Sequence, residues 1–178
     1  MTGVLSVLLI AAIWLGIADF QYSVHDIPGC LRTMPNHTLA LIESLPEITD
    51  VELLEERADR IIQLDPYVSS AHSAKGNAAF GKGNILEMIS EKEEAIRLAP
   101  YYLEGYLDYF DKLEEVMKRY EQMGDFASAE TCREKILRIP DMLEQVKANT
   151  SPIAWKIQHT PELDLPPKYQ YRLKYLEE

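Results

Sequence analysis

The sequence predicts an all-α chain, with about three helical hairpins stacked behind an apolar N-terminal helix. Three observations predict it. The phrase Ile61-Ile62-Gln63-Leu64-Asp65-Pro66-Tyr67 returns 34 residues later as Ala95-Ile96-Arg97-Leu98-Ala99-Pro100-Tyr101, and a period of that length is the size of one helix–turn–helix unit. The segments between the prolines place apolar residues at helical spacing, and no stretch from Asn36 to Ala148 alternates as a strand would. The first charged side chain is Asp19, after an apolar run.

That run, Val4 to Ala18, is apolar on every face. With its flanks it makes a helix of about 26 Å, near the lower limit for crossing a bilayer, and Trp14, Phe20 and Tyr22 suit the interface. A signal peptide would carry a basic start, and Met1-Thr2-Gly3 has no side-chain charge. A buried core helix is the other option for such a run, but apolar residues on all faces suit lipid better. The expectation is therefore a membrane segment over 1–22, either a single-pass anchor or the last spanning helix of a larger protein. The first basic residue is Arg32, too distant to assign the side on which the rest lies.

Residues 23–148 carry the repeat. A short helix over Thr38–Leu45 precedes a second over Val51–Leu64, with Thr49-Asp50 as its N-cap. Ser69–Phe80 and Ile85–Leu98 form the central hairpin around Gly81-Lys82-Gly83-Asn84, whose glycines tolerate the positive φ of a helix end. Pro100 stops the second of these helices. The third hairpin joins Leu103–Met123 to Ala127–Ile139 through Gly124-Asp125-Phe126, its first helix about two turns longer than the period requires. Residues 149–178 read as an extended capping tail: Asn149-Thr150-Ser151-Pro152 breaks helix, and a last helix is expected over Lys168–Leu176. A solenoid end exposes an apolar face, and Trp155, Ile157, Leu163 and Leu165 are available to cover it.

Composition narrows the function. Net charge is −11, which argues against nucleic acid as a partner. The acidic residues fall in helical stretches, as in Glu114 and Lys118 four apart, and read as a solvated face. Cys30 and Cys132 form no CxxC and no disulfide framework; free thiols and one long-range bridge both fit. His25, His37, His72 and His159 lie outside any HExxH spacing, and there is no GxxxxGK[ST], GxGxxG or GxSxG. Asp108, Asp111, Glu114 and Glu115 share helical spacing but have no evident second half of an acid–base site. No catalytic residue, metal ligand or small-molecule cofactor is expected.

With Gly76, Ala95, Pro100 and the Gly83-Asn84 turn at their places, the 34-residue unit resembles a tetratricopeptide repeat. It departs from that family at His72, where an aromatic is usual, at Lys75 for leucine and at Met88 for alanine. The resemblance implies a protein or peptide partner held by the first helix of each hairpin. Carried over, the groove positions are Ser70, Ser73, Asn77 and Phe80, followed by Glu104, Leu107, Asp111 and Glu114. Asn77 matches an asparagine that some relatives use to hold a peptide backbone. The acidic groove residues favour a neutral or basic peptide over a carboxylate tail.

The apolar segment, the repeat and the tail Thr150-Ser151-Pro152…Pro161-Glu162-Leu163-Asp164-Leu165-Pro166 also resemble the C-terminal helical-repeat portions of bacterial membrane proteins of the O-antigen ligase and polymerase group. That resemblance implies an alternative role, as an accessory or C-terminal part of an envelope-polysaccharide ligase or polymerase. No catalytic residue of that group is carried over. The main expectation is a membrane-anchored interaction module without catalysis of its own.

Overall fold

The structure, a computed structural model, describes residues 2–151, 153 and 163–177. Among the described residues there is helix and no strand. The chain runs through α1 (Thr2–Ser23), α2 (Ile27–Thr33), α3 (Thr38–Ser44), a single 3-10 turn (Leu45–Glu47), α4 (Val51–Leu64), α5 (Ser69–Gly81), α6 (Ile85–Leu98), α7 (Leu103–Met123), α8 (Phe126–Leu137), α9 (Ile139–Asn149) and α10 (Pro167–Glu177). These fall into two compact units, Met1–Lys82 and Gly83–Glu178.

In the first unit, α4 packs on α5 and α3. Its core is Leu41, Leu45, Ala58, Ile61, Ala71 and Ala74. The alanines on facing helices bring the backbones close, so that the larger Leu41 and Ile61 fill the space between them. Asp50 starts α4: its carboxylate accepts from the Leu53 N–H at 2.8 Å, satisfying one of the donors a helix start leaves unpaired. Helix α2 was not expected from the sequence, because Pro28 and Gly29 are poor helix formers in so short a run. Its start is secured by Asp26, whose side chain accepts from the Gly29 N–H at 2.9 Å, with Pro28 in the first turn, where a missing N–H costs nothing.

Helix α1 exposes Leu8, Leu9, Ile13 and Trp14 along its length. Its C-terminal end is partly covered, although Phe20 stays exposed. Ala18 is buried with Cys30 and Ala40, and Tyr22 packs beside them. The Tyr22 hydroxyl donates to Glu43 at 2.6 Å, and the Thr33 hydroxyl to Gln21 at 2.7 Å. The span Ser6–Ser23 is long and apolar enough to cross a membrane.

The second unit is organised by α7. Tyr106, Tyr109, Phe110, Leu113, Val116 and Met117 are buried along one stripe at spacings of three and four. Ala129, Cys132 and Ile136 of α8 and Ile139 and Leu143 of α9 are buried as well. Between α7 and α8 the chain turns at Gly124, φ +77°, a left-handed conformation that costs an L side chain energy. The Gly124 and Asp125 amides return to the Glu121 and Tyr120 carbonyls, and Asp125 caps α8 through the Ser128 N–H at 3.1 Å. The turn before α6 uses the same device, Gly83 also at φ +77°. The expected continuation of α8 to Ile139 is instead a break after Leu137, since Pro140 has no amide hydrogen to continue the helical ladder.

Leu163 and Leu165 are buried in the tail. Asp164 is held by Lys147 at 2.5 Å, and Gln170 donates to the Leu165 carbonyl at 2.7 Å. Trp155 and Ile157, and His159 with them, lie outside the described residues.

Candidate functional site

The central repeat contributes Ser70, Ser73, Asn77 and Phe80 from α5, spaced along one side of the helix. Ser70 is exposed; Ser73, Asn77 and Phe80 are half-buried. Beside them runs a buried strip of small residues, Ala71, Ala74 and Ala78, of which Ala71 and Ala74 share the core with Ala58 and Ile61 of α4. Asn77 stands out: its carbonyl oxygen is buried and has no hydrogen-bond partner. An orphaned buried acceptor typically costs about 1–3 kcal/mol. Such groups are rare in native proteins and call for an explanation, of which a ligand donor is one.

His72 sits on the buried side of the same helix, with Nε2 donating to the Pro66 carbonyl at 3.0 Å. It is a satisfied interior histidine.

The next repeat contributes Glu104, Leu107, Asp111 and Glu114 from α7. The structure does not leave these four equally available. Glu104 is exposed, Leu107 is buried, and both remaining carboxylates are occupied by α10 of the same chain. Arg172 Nη1 lies 2.7 Å from Asp111 Oδ1; its Nη2 and Nε each lie 3.0 Å from a different oxygen of Glu114. The second pair is a planar two-point contact that lysine cannot reproduce. The Tyr169 hydroxyl donates to Asp111 Oδ2 at 2.9 Å. The guanidinium carbon is 4.6 Å from the Phe110 ring centre and 4.8 Å from that of Tyr169, and the two rings meet edge-on at 5.2 Å and 81°.

Sequence reasoning missed Phe110, Tyr169 and Arg172 as members of this surface. The available signal was the phrase Tyr169-x-x-Arg172-Leu173, which sets an aromatic, a cation and an apolar residue on one face of the last helix.

Cations engage all four carboxylates that share helical spacing on α7: Asp108 pairs with Lys92, Asp111 and Glu114 with Arg172, and Glu115 with Arg119. Lys92 is buried, and burial pulls its ammonium below the ordinary lysine range despite Asp108. Elsewhere in the unit, Glu93 accepts from the Tyr109 hydroxyl and from Lys135, both at 2.7 Å. Burial pushes the Glu93 carboxyl up, but the Lys135 and Tyr109 bonds outweigh it and hold the group below the usual carboxylate range. Burial, then the Glu93 bond, pushes the Tyr109 phenol well above 10. Among the described residues no three His, Cys, Asp or Glu side chains converge as metal ligands would. Cys30 and Cys132 are buried free thiols, both raised by burial.

Each unit also has an open cavity. In the first, about 610 Å³ is lined by Arg57, Arg60, Asn36 and Gln63 among others. The arginines bond neutral acceptors there: Arg57 to Ser44 at 2.9 Å, and Arg60 to Asn36 at 2.6 and 3.0 Å. In the second, about 410 Å³ lies beside Tyr101, Tyr106, Val146 and Thr150.

No family model matches the chain, and no curated protein does. Solved structures similar to it include two of MamA. One crystal structure of MamA protein aligns over 93% of this chain and 91% of its own, with 19% identity and a TM-score of 0.45. A second MamA structure aligns over 90% and 94%, with 21% identity and a TM-score of 0.44.

Proposed function

We propose that this chain is a helical-repeat module that binds another protein, tethered to a membrane by α1 and without catalysis of its own. In this reading residues 1–22 anchor, 23–148 carry the repeat and 149–178 cap it. Ser70, Ser73, Asn77 and Phe80 are the first unit's contribution to binding; Glu104, Leu107, Asp111 and Glu114 are the second's. The observation that carries the reading is the unpartnered, buried carbonyl oxygen of Asn77. An acceptor kept at that cost on a helix face of small polar residues suits a peptide N–H. The partner is a neutral or basic peptide segment, matching the acidic side chains of α7.

The test is photo-crosslinking in native membranes. A crosslinking amino acid at position 70 or 73 of the full chain should yield adducts with one discrete protein. The same residue at the exposed Glu130 should not. Adducts from position 130 with none from 70 or 73 would remove the binding face from α5.

The exposed Leu9 and Ile13 support the anchor reading. The wild-type chain should stay with membranes through alkaline carbonate extraction, and Leu9→Arg with Ile13→Arg should release it. The second reading, an accessory part of an envelope-polysaccharide ligase or polymerase, draws on the same helix preceding the repeat. It predicts crosslinks from α1 to multi-spanning proteins of that pathway.

A further inference from the structure

The contact between α7 and α10 has the features of a recognition site that is already filled. Of the eleven residues of α10, only Tyr169 and Leu173 are buried, while Tyr171 and Tyr175 are largely exposed. A helix this short is marginal by itself, so α10 holds its form through what it touches. On α7 it meets a selective set: the Asp111 and Glu114 carboxylates and the Phe110 ring converge, with its own Tyr169, on a single guanidinium; on α8, Arg133 donates to the Leu176 carbonyl at 2.5 Å. An apolar pair would cover the end of a helical stack equally well.

We propose that this face of α7 is a docking surface for an amphipathic helix of a partner protein, one carrying an aromatic residue, an arginine three positions on and leucine at the next. The chain's own α10 occupies the surface until such a helix displaces it. The proposal rests on the interaction-module reading and names the partner chemistry of its second half. Asp111 and Glu114 supply the charge that selects arginine; Phe110 supplies the ring that selects a flat cation over an ammonium. The carboxylates are the site's own, and Tyr169, Arg172 and Leu173 are the pattern a competitor must copy. Because α10 is tethered, its effective concentration at the surface is in the millimolar range, so a free competitor meets a substantial barrier.

The test uses the full chain in detergent with a site-specific protease sequence placed between residues 155 and 160. After folding, the site is cut and the released helix is separated by gel filtration. A fluorescein-labelled peptide of residues 163–178 is then added and its anisotropy followed. Saturable binding is expected, about ten-fold or more tighter than to the uncut chain. Arg172→Lys in the peptide should weaken it by about ten-fold, and so should Asp111→Asn with Glu114→Gln in the chain.

A cut helix that never dissociates would overturn the proposal, since the contact would then be a permanent part of the fold. So would a vacated face that takes no peptide, or that takes the Arg172→Lys peptide equally well. If the cut chain loses its helical circular dichroism, uncut Arg172→Glu serves as the receptor, its own helix repelled by Asp111 and Glu114. Failure to bind the native peptide there is equally decisive. Loss of peptide binding with crosslinks from position 70 intact would end this proposal alone. Loss of those crosslinks with peptide binding intact would end the α5 reading and leave this one.

Discussion

His72 and Tyr106, 34 residues apart, make the same hydrogen bond. Each reaches back six residues to a proline carbonyl, His72 to Pro66 and Tyr106 to Pro100, both at 3.0 Å. The repeat period thus holds for a bond as well as for the residue pattern. The histidine that looked like a departure from the repeat takes the place of an aromatic with a polar tip. Tyr106 is buried, so Tyr106→Phe should leave the Pro100 carbonyl poorly satisfied and cost about 1–2 kcal/mol. His72→Tyr should be tolerated, and His72→Phe should not. Urea midpoints at constant slope decide this. Equal midpoints for wild type and Tyr106→Phe would mean the bond contributes nothing net.

Gly124 has no heavy atom within 4 Å of where a Cβ would stand, yet its φ is +77°. Gly124→Ala therefore isolates backbone strain from crowding. It should destabilise the chain by about 1 kcal/mol. Thermal melting of the two chains at matched concentration checks it. A stabilised alanine variant would mean that the entropy lost by the unfolded chain outweighs the strain.

The helices were legible where periodicity and punctuation agreed. Val51–Leu64, Ile85–Leu98 and Leu103–Met123 begin and end as the sequence indicates, because the Asp50 cap, a glycine or a proline marks most of those ends. Helix α2 was not legible, since its seven residues contain Pro28 and Gly29 and its start depends on the Asp26 side chain. The site was less legible than the fold. Residue spacing places Asp111 and Glu114 on one helix, but their engagement by Arg172 bridges about sixty positions of sequence. Periodicity carries no signal at that separation. The orphaned oxygen of Asn77 was equally invisible, because it depends on what its neighbours fail to offer.

Asn77 should trade stability for binding. Replacing it by leucine removes an unsatisfied buried acceptor and adds a better helix former. Asn77→Leu should therefore be as stable as wild type, or more stable by about 1 kcal/mol. The same change should weaken crosslinking from position 70. A clear loss of stability in Asn77→Leu would mean that the amide is satisfied by ordered water, and the argument for a ligand there would fall.

Acid should loosen the second unit through Glu93 and Glu114. For both carboxyls burial raises the pKa, but their bonds outweigh it: Lys135 and Tyr109 for Glu93, Arg172 and Lys118 for Glu114. Both therefore titrate below their unfolded value of 4.5 in the folded chain. As pH falls, the unfolded chain takes up these protons first. The stabilisation is complete above 4.5 and is lost as pH drops through the lower folded values. Glu93→Gln with Glu114→Gln should be less stable than wild type at neutral pH, and the gap should close as pH falls below 4.5 and through the lower folded values. Urea midpoints measured across that range test the sign. A gap that stays constant with pH would mean that these carboxylates stabilise the fold through packing rather than charge.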